Sequence, residues 1–270
     1  MVSLGEFIIY AYFFSDYYRL SAVFGVSIGM YIRLCFSAIA SIAGFSVAII
    51  ASVRTRKKIA NKLLVTSIII ATLAGGIAAL SVAIASYFYI TYPSFFTFIP
   101  ETTLILNRVS FVSIPIIGLF FWIFFSQLIG IRRAVIYGAV VISSVILFLN
   151  SIATITAEEV QLMLYVNMGL IFSFVTLSYW LVTFIIISIS FFYYASKQKG
   201  ERRIMGAILG TAGIAAVMIL VSQALAFLFS NAILSESVWI FAAAAFTLMH
   251  LGSLPLRSLL TKEPKRTKRK

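Results

Sequence analysis

Apolar residues run along this chain in seven long segments, each separated from the next by a short polar stretch. A helix needs about 20 predominantly apolar residues to cross the hydrocarbon core of a bilayer, and it satisfies its backbone hydrogen bonds internally. The pattern therefore predicts an all-α membrane protein, a seven-transmembrane helix bundle over residues 30–258. The predicted spans are residues 30–53, 63–90, 109–130, 134–150, 160–196, 204–229 and 238–256.

Two stretches fit this pattern less simply. The fifth apolar stretch is longer than a bilayer requires, so it either tilts or keeps its first turns outside, and Asn167 favours the second option. Residues 1–29 are rich in aromatic side chains but are interrupted by Asp16 and Arg19. Because such rings favour the interface between water and acyl chains, we predict an outer amphipathic segment, with an eighth membrane segment as the alternative.

Basic residues gather in every second polar stretch and in the tail. Of the 21 Lys and Arg, all but Arg19, Arg33 and Arg108 lie there. Because Lys and Arg are retained on the cytoplasmic side, this asymmetry predicts a plasma-membrane protein with its N-terminus outside and its C-terminus inside. Arg33 lies near the outer end of the first span, where we expect its side chain to snorkel to the interface.

The chain is predicted to end in a basic cytoplasmic tail, residues 259–270. A net charge of +13 is also typical of nucleic-acid-binding proteins, but here it is confined to one side, so we expect no nucleic-acid partner. Anionic lipid attracts each Lys or Arg near the surface by about 1 kcal/mol. Anionic lipid or an acidic protein surface is therefore the expected contact of Lys265, Arg266, Lys268, Arg269 and Lys270.

Reactive groups are sparse, which argues against an enzyme, a metal site or a cofactor. The chain has one histidine and one cysteine, Cys35, which we expect to pack as a small apolar side chain. We find no phosphate-binding loop and no nucleophile elbow. Glu158, Glu159 and Glu236 are assigned to outer loops, so no acidic residue is expected inside the second to seventh spans.

A few polar residues remain at membrane depth and are the candidates for a ligand contact or a switch. They are His250, Gln223, Gln127 and Asn167, and Asn150 is a further polar residue at this depth. The alternative for each is one interhelical hydrogen bond, worth about 1 kcal/mol. For His250 this alternative is favoured, because no acidic partner is predicted at its depth.

Glycine and proline mark sites of close helix packing. Gly75 and Gly76 in the second span, and Gly206, Gly210 and Gly213 in the sixth, leave room for a neighbouring helix. Pro115 in the third span predicts a kink whose lost hydrogen bond the neighbouring helices must compensate.

The third span follows Asn107-Arg108, contains Pro115, and continues as the aromatic-rich run of residues 119–125 up to Arg132-Arg133. Together with the basic start of the sixth span at residues 201–206, this resembles the seven-transmembrane N-terminal sensor region of membrane histidine kinases. The resemblance covers residues 30–258 and lacks the kinase. It implies a stand-alone module that signals through a protein partner.

The sequence thus favours a non-enzymatic sensor or transducer in the membrane. Two alternatives stay open: a structural subunit of a larger membrane complex, and a small carrier or permease. A carrier is often built from internal repeats, and we find no convincing repeat here.

Overall fold

The structure is a computed structural model of the 270-residue chain. It describes residues 28–55, 62–91, 100–129, 133–152, 156–160, 163–167, 170–229 and 232–253. The predicted outer segment falls outside this range except for residues 28 and 29, which begin the first helix, and the predicted basic tail falls outside it entirely.

The described residues form seven helices and one two-stranded hairpin. In chain order these are α1 Ile28–Thr55, α2 Lys62–Thr91, α3 Pro100–Ile129, α4 Arg133–Ile152, β1 Thr156–Val160, β2 Met163–Asn167, α5 Leu170–Lys197, α6 Glu201–Phe229 and α7 Ala232–Ser253. Among them, α1 to α6 are long and apolar enough to cross a membrane, while α7 has a shorter apolar stretch, Glu236–Gly252. The prediction of a helical, multi-pass bundle is confirmed at this level.

The helix boundaries differ from the predicted spans at three places. Helix α3 begins at Pro100, nine residues before the predicted span, because proline fits the first turn of a helix, where its missing N–H has no intrahelical partner anyway. Helix α7 begins at Ala232 and so takes in Glu236, which had been assigned to a loop. The fifth stretch divides into strand β2 and helix α5, rather than forming one long helix.

The hairpin is antiparallel, and its register pairs Glu158 with Tyr165 and Glu159 with Leu164. Strand β2 lies near α1 and strand β1 lies near α3, so the hairpin reaches back over the bundle from its place between α4 and α5. We call this end of the bundle the hairpin end. The opposite end, where residues 197–203 join α5 to α6, is the basic end.

Six helices form a closed ring. Neighbours along the chain pack against each other from α1 to α3 and from α5 to α7, α3 also contacts α5, and α1 packs against α7 to complete the circle. Backbones approach closely where α1 crosses α2, because a Cβ on Gly44 would lie only 3.1 Å from the Cα of Gly76. Small residues at such a crossing allow dispersion contacts that hold helices together in lipid.

Helix α4 lies outside the ring, against α3 and, less extensively, α5. Only 22% of the residues in Val135–Ile152 are buried, against 67% in an 18-residue stretch of Lys62–Thr91. The buried residues of α4 are Ala139, Ser143, Ile146 and Asn150, which form a single stripe at helical spacing. The rest of the helix carries exposed apolar side chains suited to lipid.

Aromatic side chains fill the centre of the ring in its basic half. The rings of Phe121 and Phe184 lie 5.7 Å apart and those of Phe125 and Phe191 5.6 Å apart, both edge to face. A cavity of about 30 Å³ remains beside them, and each helix of the ring contributes to its apolar lining. Representative lining residues are Val47, Ile68, Phe121, Phe184, Leu209 and Met249. Small apolar cavities stay free of water, so this one does not form an aqueous path. The basic half of the ring is therefore a packed core.

Candidate functional site

The first and last helices are joined by a buried ion pair at the hairpin end. The guanidinium of Arg33 donates through Nε to Oε2 of Glu236 at 2.8 Å and through Nη2 to Oε1 of the same carboxylate. Glu236 is 1% exposed and Arg33 11% exposed. Such a fork-to-fork pair fixes both distance and orientation, so it sets how α1 and α7 meet.

Two sequence-based expectations about these residues were wrong. Arg33 does not snorkel to an interface, and Glu236 belongs to α7 rather than to a loop. Each of the two charged side chains accounts for the burial of the other. A buried carboxylate requires a partner of opposite charge, and pairing also lets the guanidinium leave water.

The same two helices meet again through His250, toward the basic end. Nδ1 of His250 lies 3.0 Å from Oγ of Ser46. The same hydroxyl of Ser46 also donates to the carbonyl of Ala43 at 2.8 Å. His250 therefore makes an interhelical hydrogen bond, the alternative favoured from the sequence.

These four residues, Arg33, Ser46, Glu236 and His250, define what we call the α1–α7 seam. At a rise of about 1.5 Å per residue, its two polar contacts lie about 20 Å apart along α1. Both contacts join the same two helices in the same order, so α1 and α7 run parallel. Between them the helices meet through small side chains, Ala40 on α1 and the pair 242–243 on α7.

A second polar cluster joins α3, α4 and α5. Pro115 lies inside α3 and is almost fully buried. Since proline has no N–H, it cannot bond the carbonyl of Phe111 one turn earlier. Nδ2 of Asn150 donates to that carbonyl at 2.9 Å, while its Oδ1 accepts from the hydroxyl of Thr176 at 2.9 Å. Helix α3 continues unbroken through Pro115.

The cluster continues toward the basic end. The hydroxyls of Ser143 and Tyr179 lie 2.6 Å apart, and Tyr179 also bonds Thr183. Nε1 of Trp122 donates to Oγ1 of Thr183 at 3.1 Å. Gly118 provides the space for Tyr179, because a Cβ there would lie 2.5 Å from the phenol oxygen.

The predicted packing glycines lie at helix contacts. A Cβ on Gly206 would lie 3.0 Å from that of Ala195, and one on Gly213 would lie 2.9 Å from that of Ser188. A Cβ on Gly210 would meet the ring of Phe192, so all three residues face α5. Ser188 adds a hydrogen bond to the carbonyl of Gly210 at 2.8 Å. In α2, Gly75 accommodates the ring of Phe246 from α7, and Gly76 contacts Phe45 from α1.

The structure places the remaining predicted residues only in part. Gln127 is half-buried near the basic end of α3, and Gln223 is half-buried toward the hairpin end of α6. The backbone of Asn167 pairs with Thr156 in the hairpin. The side chain of Asn167 and the predicted tail contacts Lys265, Arg266, Lys268, Arg269 and Lys270 lie outside the described part. Cys35 is exposed rather than packed inside, so that expectation was wrong.

Sequence reasoning missed Glu236 and Tyr179 as members of polar clusters, and it placed Asn150 at membrane depth without assigning it a partner. For Asn150 the sequence did contain a signal. Pro115 leaves the carbonyl of residue 111 without its helical partner, so a neighbouring helix must supply a donor. For Glu236 the only signal was an acidic residue close to an apolar run, and its partner is 203 positions away in the chain.

Every buried side-chain nitrogen or oxygen atom of the described residues has a hydrogen-bond partner. The same residues contain no group of three or more His, Cys, Asp or Glu side chains that could hold a metal ion. The polar groups thus connect helices to one another. No protein-family model, curated protein or solved structure matches this chain.

Proposed function

We propose that this chain is a non-enzymatic seven-span protein of the plasma membrane that acts as a stand-alone sensor or transducer through a protein partner. Its hairpin end faces outward and its basic end faces the cytoplasm. The uneven distribution of Lys and Arg supports this orientation. Helix α7 has 22 residues, which at about 1.5 Å each is long enough to cross a core of about 30 Å.

The observation that carries the proposal is the α1–α7 seam. It joins the first and last helices of the ring at points on either side of its middle, and α7 leads directly toward the basic tail. A change at the outer contact, between Arg33 and Glu236, shifts a helix whose other end lies next to the tail. In this proposal the seam is the connection between an outside event and a cytoplasmic partner.

The basic end is suited to anionic lipid and to an acidic partner. Lys199, Arg202 and Arg203 are exposed around the turn between α5 and α6. The ammonium of Lys197 lies 5.4 Å from the ring centre of Tyr193, an arrangement suited to the membrane interface. Attraction of about 1 kcal/mol per basic residue would hold this end against an anionic leaflet.

A structural subunit is the second candidate, and helix α4 is the observation that favours it. The exposed side of α4 includes Tyr137, Val141 and Phe148, and a larger complex would cover such a face. A carrier is less well supported, because aromatic side chains fill the basic half of the ring around a cavity of about 30 Å³. Passage of a substrate would require the ring helices to separate.

The test is purification of the tagged full-length protein from its native membrane in a gentle detergent, followed by mass spectrometry of the chains that accompany it. The proposal predicts a stoichiometric partner that carries a kinase or another output domain. A variant lacking residues 259–270 is the matched control, since it leaves the bundle intact. Loss of the partner from this variant would assign the contact to the tail.

Other outcomes would count against the transducer. Respiratory or secretion subunits as the accompanying chains would support the structural candidate instead. Recovery of the protein alone would contradict the proposed partner and would make transport assays the next experiment.

A further inference from the structure

Helix α3 lacks one of its own backbone hydrogen bonds, and another helix supplies the donor that replaces it. Pro115 removes the hydrogen bond to the carbonyl of Phe111, and proline at such a position normally kinks a helix. Here the missing donor is replaced by Nδ2 of Asn150, which belongs to α4. The continuity of α3 at this point therefore depends on the position of a neighbouring helix.

The orientation of the Asn150 amide is fixed by its two partners. The carbonyl of Phe111 can only accept, so the amide nitrogen must face it. The amide oxygen then accepts the proton of the Thr176 hydroxyl at 2.9 Å. Asn150 and Thr176 are 1% and 2% exposed, so neither bond competes with water or lipid headgroups. One buried side chain thus links α3, α4 and α5.

Helix α4 has little else to hold it there. It lies outside the ring, and its inward stripe consists of two apolar and two polar residues, with Ser143 as the second polar contact. Lipid tails are as apolar as the side chains they would replace, so apolar contact alone gives α4 little preference for the bundle. The polar contacts of Asn150 and Ser143 therefore dominate its attachment.

The part of α3 beyond Pro115 carries much of the aromatic core. Phe121, Phe124 and Phe125 follow the proline and pack against Phe184 and Phe191 of α5, next to the central cavity. We propose that α4 is a clamp on a hinge at Pro115: Asn150 bonds the carbonyl of Phe111 and so limits bending of α3, and displacement of α4 lets α3 bend further and opens the aromatic core at the basic end. This inference stands on contacts separate from the α1–α7 seam.

A double-mutant cycle tests the clamp. Asn150→Leu removes the donor, and Pro115→Ala restores the N–H that α3 itself can use. If Asn150 works by serving the carbonyl of Phe111, Asn150→Leu lowers the melting temperature in detergent by about 3–6 °C in the natural chain. In the Pro115→Ala background the loss falls to less than half of that value. An equal loss in both backgrounds would overturn the proposal.

Thr176→Val provides the matched control. It removes only the bond from α5 to Asn150 and keeps the volume of the side chain, so its smaller effect should not depend on Pro115. If Asn150→Leu does not yield folded protein, Asn150→Ser takes its place in the same cycle, because its shorter side chain falls short of the carbonyl.

Hydrogen exchange distinguishes a hinge from a merely structural contact. In Asn150→Leu or Asn150→Ser, the amides of residues 112–114 and 116–119 should exchange at least about threefold faster than in the natural protein. The control is Ser151→Ala on the exposed side of α4, which should leave these rates unchanged. Unchanged exchange in the Asn150 variant, together with a loss of stability, would show a tie between helices without a hinge and would contradict the proposal.

Discussion

At the level of single residues, the polar side chains of the seam and of the α3–α4–α5 cluster each bond identifiable partners on neighbouring helices. Asn150 donates to a carbonyl that Pro115 leaves without its helical partner, and Nδ1 of His250 bonds the hydroxyl of Ser46 on the neighbouring helix. Arg33 and Glu236 neutralise each other. Such matched pairs add little net stability, but the loss of one member leaves the other stranded.

The ion pair gives the first prediction at this level. Arg33→Ala or Glu236→Ala alone should lower the stability of the bundle by about 3–5 kcal/mol, because each leaves an uncompensated buried charge. The double variant Arg33→Leu/Glu236→Leu should recover most of the loss. Thermal unfolding in detergent, followed by loss of monodisperse protein, measures both effects.

The charge exchange Arg33→Glu/Glu236→Arg is the control for this prediction. It keeps the pair and reverses its direction, so it should recover part of the stability that either single exchange loses. If single and double variants were equally unstable, the residues would act independently and the pair would not determine how α1 meets α7.

At the level of helices, some glycines lie in tight contact with a neighbouring helix and others do not. On α6, Gly213 lies against the backbone of Ser188. A Cβ atom added to Gly213 would lie 3.1 Å from the Cα atom of Ser188. On α4, a Cβ on Gly138 would have no atom within 4 Å. Close packing in lipid depends on the first kind of glycine, while the second kind is open to lipid.

This contrast predicts opposite outcomes for the same substitution. Gly213→Ala should destabilise the protein by about 1–3 kcal/mol, because the α5 backbone has to move. Gly138→Ala should leave the stability unchanged or raise it by up to about 1 kcal/mol through better helix propensity. Melting temperatures of the two variants, measured side by side, check the assignment. A loss at Gly138 as large as that at Gly213 would refute the α5–α6 contact as the reason.

Sequence patterns anticipated the helices better than the elements between them. The ends of α1, α2 and α4 lie within two residues of the predicted span ends, because polar residues flank those apolar runs. The hairpin was missed because residues 163–166 continue into the apolar run of α5. A short apolar run does not by itself distinguish strand from helix.

The polar clusters were harder to predict from the sequence than the helices, for a physical reason. Helix periodicity reports which face of a helix is apolar, but it does not report which helix lies opposite. Pro115 and its need for a donor were visible in the sequence, whereas the identity of Asn150 as that donor follows only from the packing of α4 on α3. The pairing of Arg33 with Glu236 likewise required the ring to close.

At the level of the whole molecule, the ring is a packed unit in which the first helix meets the last. Its basic half is filled by phenylalanine, and its hairpin half contains small residues, among them Ala40, Ala79 and Ala242. Helix α4 and the hairpin lie outside this unit, at its side and at one end. A transducer of this build would move α7 along the seam and α3 at its hinge.

The proposed arrangement requires α7 to cross the membrane with an apolar stretch, Glu236–Gly252, that is shorter than those of α1 to α6. Residues 158 and 268 are separated by α5, α6 and α7. They lie on opposite sides if all three helices cross, and on the same side if α7 does not. The positions are therefore suited to a labelling experiment with single cysteines.

The most direct measurement is the reaction of Glu158→Cys and Lys268→Cys with an impermeant thiol reagent in intact cells, after the exposed Cys35 has been replaced by Ser. The account predicts that position 158 is labelled and that position 268 is labelled only after the membrane is opened. Labelling of both positions in intact cells would show that α7 does not cross the membrane. It would contradict a ring in which α7 spans the membrane beside α1. Labelling of position 268 alone would reverse the orientation and contradict the proposed direction of signalling.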